Sequence, residues 1–148
     1  MINTAVFKAY DVRGLYPSEI TEELFHQLGR AFVAYLGPGK YAVTRDMRTS
    51  SPSLTEAFIA GAVKQGGHIV NYGLVGTDQM YYAVAADGLD GGAQITASHA
   101  SITLATPRGH TTSSARVTSP RVHGPGVRGS PPPRMCRTLY SNVAALPA

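Results

Sequence analysis

Apolar residues recur at two different spacings along the first two thirds of the chain, and the spacings predict its elements. From Thr21 onward Leu24, Leu28, Phe32 and Leu36, flanked by Phe25 and Val33, follow the three-to-four period of an amphipathic helix. Thr21 is placed to cap that helix, Glu22 and Glu23 sit in its first turn where the helix dipole favours acids, and Gly37-Pro38-Gly39 ends it. Tyr41 to Thr44 then reads as a strand. A second helix is predicted behind Ser51, the expected cap, with Pro52 at the first helical position and an apolar face of Leu54, Phe58, Ile59, Ala62 and Val63. Gly66-Gly67 closes it, and His68 to Tyr72 reads as a strand. A shorter helix follows from Asp78 to Ala86, with Thr77 as cap and Met80, Tyr81 and Val84 inward. The turn DGLDGG leads to a last strand from Ala93 to Thr96.

A strand, a helix of about 14 residues and another strand form the spacing of a parallel crossover. The expected fold class is therefore α/β, a mostly parallel sheet flanked by helices. In such sheets ligands collect at the carboxyl ends of the strands, which groups three loops as site candidates: Arg45 to Ser51, Gly73 to Thr77, and Ser98-His99.

Charge divides the chain where the periodicity ends. Residues 1–99 hold 7 Lys and Arg against all 9 acids, a net of −2. Residues 100–148 hold six arginines, no lysine and no acid, and so carry the whole basic balance of the +4 protein. Seven of the ten prolines and the lone cysteine, Cys136, are there as well. A segment so rich in Ser, Thr, Pro, Gly and Arg buries too little apolar surface to offset its ordering entropy, and disorder is expected from residue 100 to residue 148. No run approaches the roughly 18 to 20 apolar residues of a membrane span. The N-terminus lacks a basic region followed by an apolar run, so no secretory signal is read there. One cysteine forms no internal disulfide, and a cytoplasmic location is expected.

Chemistry concentrates at the end of the last strand, in "QITASH". Taken alone, Ser98 and His99 have a bland reading, a polar turn whose hydroxyl caps a backbone amide. The alternative is a nucleophile or phosphate carrier facing backbone amides, where anions bind readily. No Gly-x-Ser-x-Gly elbow surrounds Ser98, which disfavours hydrolase chemistry of that type.

Four motifs in order weigh on that choice: "FKAYDVRGLYP", "TRDMRTSSPSL", "NYGLVGTDQMYYAVA" and "GGAQITASH". Together, over Phe7 to His99, they resemble the N-terminal domain of the α-D-phosphohexomutases, the bacterial phosphomannomutase/phosphoglucomutase enzymes. The resemblance implies that Ser98 carries a phosphoryl group, contributes an oxygen to Mg²⁺, and contacts the substrate. It implies that Arg13 lies near the phosphoserine, its permanently charged fork suited to phosphate oxygens. His99 matches the histidine beside the phosphoserine, and Tyr10 matches a tyrosine lining the sugar site. The implied reaction moves a phosphoryl group between the 1- and 6-positions of a hexose through a hexose bisphosphate, which also serves as activator. The implied partner is a phosphorylated hexose. Outside that context Arg13 and Asp11 read as a pair across a turn and Tyr10 as core. Arg45, Asp46 and Arg48 read as a structural charge network.

Departures from the family begin at Ala100, where the family continues with Asn-Pro and then a Gly-Phe-Lys stretch; here no lysine follows Lys64. The family's Mg²⁺-holding aspartates, sugar-recognising loop and phosphate clamp belong to further domains. Residues 1–99 are thus read as a truncated phosphohexomutase N-terminal domain and residues 100–148 as a tail foreign to it. Out-of-frame translation of GC-rich DNA accounts for such a tail, and the coding sequence beyond codon 99 tests that origin. A fragment of this kind is expected to be inactive alone. Two other functions stay open: a non-catalytic phosphosugar- or phosphate-binding module, and an interaction protein acting through its basic tail. Nucleic acid is not the expected partner of that tail, although six unopposed arginines suit phosphates.

Overall fold

A computed structural model describes residues 4–7, 12–96 and 101–105. Helix α1 spans Glu22–Leu36, strand β1 Lys40–Arg45, helix α2 Ser51–Lys64, strand β2 His68–Leu74, helix α3 Thr77–Ala86, strand β3 Gly91–Thr96 and strand β4 Ser101–Ala105. The sheet order is β2-β1-β3-β4, with β1 parallel to both β2 and β3 and with β4 antiparallel to β3. This is the α/β class, mostly parallel and flanked by helices, that the alternation predicts.

The direction of each crossover explains which face each helix covers. The chain steps one way from β1 to β2 through α2, then back across β1 to β3 through α3. Because both crossovers keep the same hand, reversing direction places the two helices on opposite faces. The packing agrees. Tyr41, Val43, Ala93 and Ile95 share a core with Phe25, Leu28 and Phe32 of α1 and with Leu54 and Phe58 of α2. Ala42 packs instead with Met80 and Val84 of α3 and with Leu89. Phe32 meets Tyr41 edge to face, with ring centroids 4.9 Å apart.

The helix ends partly follow the sequence. The Thr21 side chain accepts the Leu24 amide at 3.2 Å, and the Gly37 amide closes α1 on the Val33 carbonyl at 2.8 Å. At α2 the cap position falls on Ser50, and Ser51 is the first helical residue with Pro52 second. The Ser51 hydroxyl donates to the Asp46 carboxylate, a partner that sequence alone does not reveal. At α3 the cap is Gly76, whose amide donates to Gln79 Oε1 at 2.7 Å, and Thr77 is already helical. On α2 the expected apolar face holds for Leu54, Phe58 and Ala62, whereas Val63 is turned outward, 54% exposed.

Residues 101–105 correct the expectation that order ends at His99. Ser101–Ala105 runs antiparallel to β3, with Ser101 opposite Thr96, Ile102 opposite Ile95 and Leu104 opposite Ala93. The five residues are too short a run to show a period, and their pairing supplies what their own sequence lacks: the unfilled hydrogen bonds along the edge of β3. The remainder of the expected disordered tail, residue 100 and residues 106–148, lies outside the described residues.

Candidate functional site

Parallel pairing puts the carboxyl ends of β1, β2 and β3 on one edge, and hydrogen bonds tie those ends together. The Asp46 amide donates to the Ile95 carbonyl at 3.0 Å, joining the loop after β1 to β3. The Val75 amide donates to the Arg45 carbonyl at 3.3 Å, joining the loop after β2 to β1. Two of the three loops expected at this edge, Arg45 to Ser51 and Gly73 to Thr77, are therefore side by side.

Each loop is shaped by its own residues. Asp46 Oδ1 accepts the Arg48 amide at 3.2 Å and the Ser51 hydroxyl, so the carboxylate organises the turn into α2. Arg45 donates through its guanidinium to the Asp46 carbonyl at 3.3 Å. These contacts give Asp46 a structural part in the loop, through a backbone amide, a hydroxyl and its own carbonyl. Near the end of β2 the β1–β2 register slips between Val43 and Thr44, so that Val43 pairs with Asn71 and Thr44 with Gly73. Gly73 takes the turn with φ +71°, a left-handed conformation that favours glycine, and its amide donates to Asn71 Oδ1 at 2.9 Å.

Beneath the edge lies a pair that sequence reading missed. Thr44 and Gln94 are opposite each other on β1 and β3, both fully buried, and the Thr44 hydroxyl donates to Gln94 Oε1. The amide nitrogen of Gln94 donates to the Val75 carbonyl at 3.2 Å. A glutamine inside the otherwise apolar run before TASH is the signal that could have found it, since buried amides are retained only with partners.

Of the expected site residues, Arg13 is the one described. It follows the Phe7–Val12 bridge, is half-buried, and its amide donates to the Val6 carbonyl at 2.7 Å. Val6 and Val12 belong to the same core as Ile95, which roots this N-terminal turn in the body of the domain. Tyr10, Asp11, Ser98 and His99 lie outside the described residues. The chain enters the segment bearing Ser98 and His99 at Thr96 and leaves it at Ser101, which are paired partners at the end of β3 and the start of β4.

Glu22 is held below the usual carboxylate range by its own backbone amide, then by hydrogen bonds from Tyr16 and Ser53. The Tyr72 phenol is pushed up by its hydrogen bond to Asp87. Among the described residues no group of three or more His, Cys, Asp or Glu side chains could hold a metal ion. No helix among the described residues is long and apolar enough to cross a membrane.

In an open α/β sheet the edge at the carboxyl ends of the strands is where ligands bind when they do. Comparison with known proteins makes the class specific. Residues 4–103 match the family model described as phosphoglucomutase/phosphomannomutase, alpha/beta/alpha domain I. A phosphomannomutase of Klebsiella pneumoniae is 40% identical over 99 residues, covering 67% of this chain and 63% of that protein. A phosphomannomutase of Escherichia coli is likewise 40% identical over 99 residues, which make up 22% of its length. A solved phosphoglucomutase/phosphomannomutase family protein from Burkholderia thailandensis superposes with a TM-score of 0.74 at 26% identity, over 97% of this chain and 31% of that one. The chain belongs to the phosphoglucomutase/phosphomannomutase family, through its first α/β/α domain. The family match ends at Thr103, inside β4, so it runs past His99, where the resemblance read from motifs stops.

Proposed function

We propose that this chain is the phosphoserine-bearing domain of a hexose-phosphate mutase, with Ser98 as the group that carries the phosphoryl. The observation that carries the reading is the position of TASH. Thr96, its first residue, ends β3 two positions before Ser98 in the sequence, at the edge where the loops after β1 and β2 are tied to that strand. In the proposed cycle the phosphoserine gives its phosphoryl group to the free hydroxyl of a hexose monophosphate. The bond from phosphorus to Ser98 Oγ breaks, a bond to the sugar oxygen forms, and the hydroxyl proton passes to Oγ. The bisphosphate turns over and returns its other phosphate to Ser98. Arg13 stands for charge neutralisation, His99 for a neighbouring role in the transfer, and Tyr10 for the wall of the sugar site. Positioning and charge neutralisation carry most of the catalysis in such transfers.

Substrate, activator, ion and place belong to the same reading: a phosphorylated hexose, a hexose bisphosphate, Mg²⁺ and the cytoplasm. The chain spans 22% of the Escherichia coli relative's length, and residues 100–148 contain no acid to supply metal ligands. Losing one electrostatic stabiliser of a transition state costs roughly 10²- to 10³-fold. Isomerisation by the 148-residue chain alone is therefore not expected. The test is incubation with a hexose 1,6-bisphosphate and Mg²⁺, followed by intact mass and site mapping. A single phosphoryl group on Ser98, absent from Ser98→Ala, supports the reading; isomerisation that survives Ser98→Ala removes it.

A further inference from the structure

We propose that Gln94, oriented by Thr44, is a positioning residue that fixes the three strand ends of the carboxyl edge relative to one another. The proposal rests on the reading of that edge as the phosphoryl-transfer site. Gln94 is 1% exposed and Thr44 is fully buried, on the sheet face where Ala42 packs with Met80 and Val84 of α3. A buried amide and hydroxyl gain nothing there over apolar side chains of equal size unless their hydrogen bonds serve a purpose.

Their bonds run across strands. One orientation of the Gln94 amide serves both partners, its oxygen accepting the Thr44 hydroxyl of β1 and its nitrogen donating to the Val75 carbonyl beyond β2. Since β1 lies between β2 and β3, this single side chain reaches from β3 across β1 to the loop after β2. Backbone bonds complete a ring: Val75 N–H to Arg45 carbonyl, and Asp46 N–H to Ile95 carbonyl, next in sequence to Gln94. The ends of β1, β2 and β3 are thereby locked in one arrangement. Thr96, from which the chain proceeds to Ser98, lies two residues beyond Gln94. Transfer between a serine and a bound sugar is sensitive to displacements of about 1 Å, which can cost on the order of 100-fold.

Thr44→Val and Thr44→Ser separate positioning from packing. Valine keeps the shape and removes the hydroxyl donor, whereas serine keeps the donor and removes a methyl group. Amide exchange followed by NMR in the full chain should accelerate roughly five- to tenfold at Val75 and Asp46 in Thr44→Val and in Gln94→Leu. Thr44→Ser should stay near the parent, and the Phe58 amide in the middle of α2 should be unchanged in all three. Unchanged exchange at Val75 and Asp46 in Thr44→Val, or a larger effect of serine than of valine, would overturn the proposal in favour of packing. Loading of Ser98 from a hexose 1,6-bisphosphate is read in parallel and should slow in the variants whose exchange accelerates. If the parent takes up no phosphoryl group, the transfer reading fails, while the exchange comparison still decides whether Gln94 positions the edge.

Discussion

Gly61 of α2 lies against the backbone of His26 of α1, and Gly29 of α1 against that of Phe58 and Ala62 of α2, so closely that neither position admits a side chain. A Cβ on Gly29 would stand 2.0 Å from the Phe58 carbonyl oxygen, and one on Gly61 would stand 1.9 Å from that of His26. Glycine in a helix interior costs about 1 kcal/mol relative to alanine. Here that cost is offset by close approach, which lets Phe32 tilt against Phe58 with ring centroids 5.6 Å apart. Gly61→Ala forces backbone against backbone, which no side-chain rotation relieves. The expected loss is about 3 kcal/mol, a large part of the roughly 5–15 kcal/mol of a domain. Urea unfolding measures it, with exposed Glu56→Ala as the control. Equal midpoints for Gly61→Ala and the parent would contradict the close crossing.

Glu22 joins three segments and makes part of the stability depend on pH. Its Oε1 accepts the Tyr16 hydroxyl at 2.8 Å and the Ser53 hydroxyl at 2.9 Å, which links the turn before α1 to α2. These bonds and its own backbone amide favour the carboxylate, so the folded pKa lies below the ordinary 4.5. A depressed carboxyl pKa contributes stability that is present above the unfolded value and disappears as pH falls through the folded one. Glu22→Gln keeps an acceptor for both hydroxyls and removes the charge. It should melt below the parent at neutral pH, by an amount in the range of roughly 0.3–1 kcal/mol typical of an acid in a first helical turn. The gap should close as pH drops below the carboxylate range. A gap that is constant with pH would show that the charge of Glu22 contributes nothing.

The elements that were legible in the sequence are those whose signal is local. Leu24, Leu28 and Phe32 declare α1 by spacing alone, and Thr21 declares its start because a hydroxyl before a helix has one common use. The caps of α2 and α3 were displaced by one residue because Ser51 found a partner in Asp46, and because Gln79 reaches back to the Gly76 amide. Sequence spacing contains neither contact. Gly61 and Gln94 were passed over for a related reason. Each violates the local pattern, glycine in a helix and an amide in an apolar strand, and each is explained by a residue far away in the chain, His26 for one and Thr44 for the other. Ser98 and Arg13 came from resemblance, and of these two the structure describes Arg13.

Tyr81 buries a hydroxyl that has no hydrogen-bond partner among the described residues. It lies on α3 and packs, half-buried, against the small core of Ala42, Met80, Val84 and Leu89. A buried polar atom left unpaired carries a desolvation cost of about 1–3 kcal/mol. Tyr81→Phe removes the oxygen and keeps the ring, so the variant should melt above the parent. A lower melting temperature would mean that the hydroxyl has a partner in solution, such as a bound water.

Strand β4 is expected to protect β3, which would otherwise form the sheet's edge. Gly91–Thr96 is buried along almost its whole length, and its outer side is paired with Ser101–Ala105. A buried apolar strand with an open edge is a template for pairing with other chains. Two truncations separate this role from that of the basic tail. A chain ending at Ala105 keeps the β3–β4 ladder and loses residues 106–148; a chain ending at Ala100 loses both. Each ladder hydrogen bond contributes about 1 kcal/mol net, so losing several removes several kcal/mol and exposes the edge. The chain ending at Ala105 should match the parent in melting temperature and elute as the same species in size-exclusion chromatography. The chain ending at Ala100 should melt earlier and form higher-order species. Equal behaviour of the two truncations would show that β4 adds nothing to the stability or solubility of the sheet.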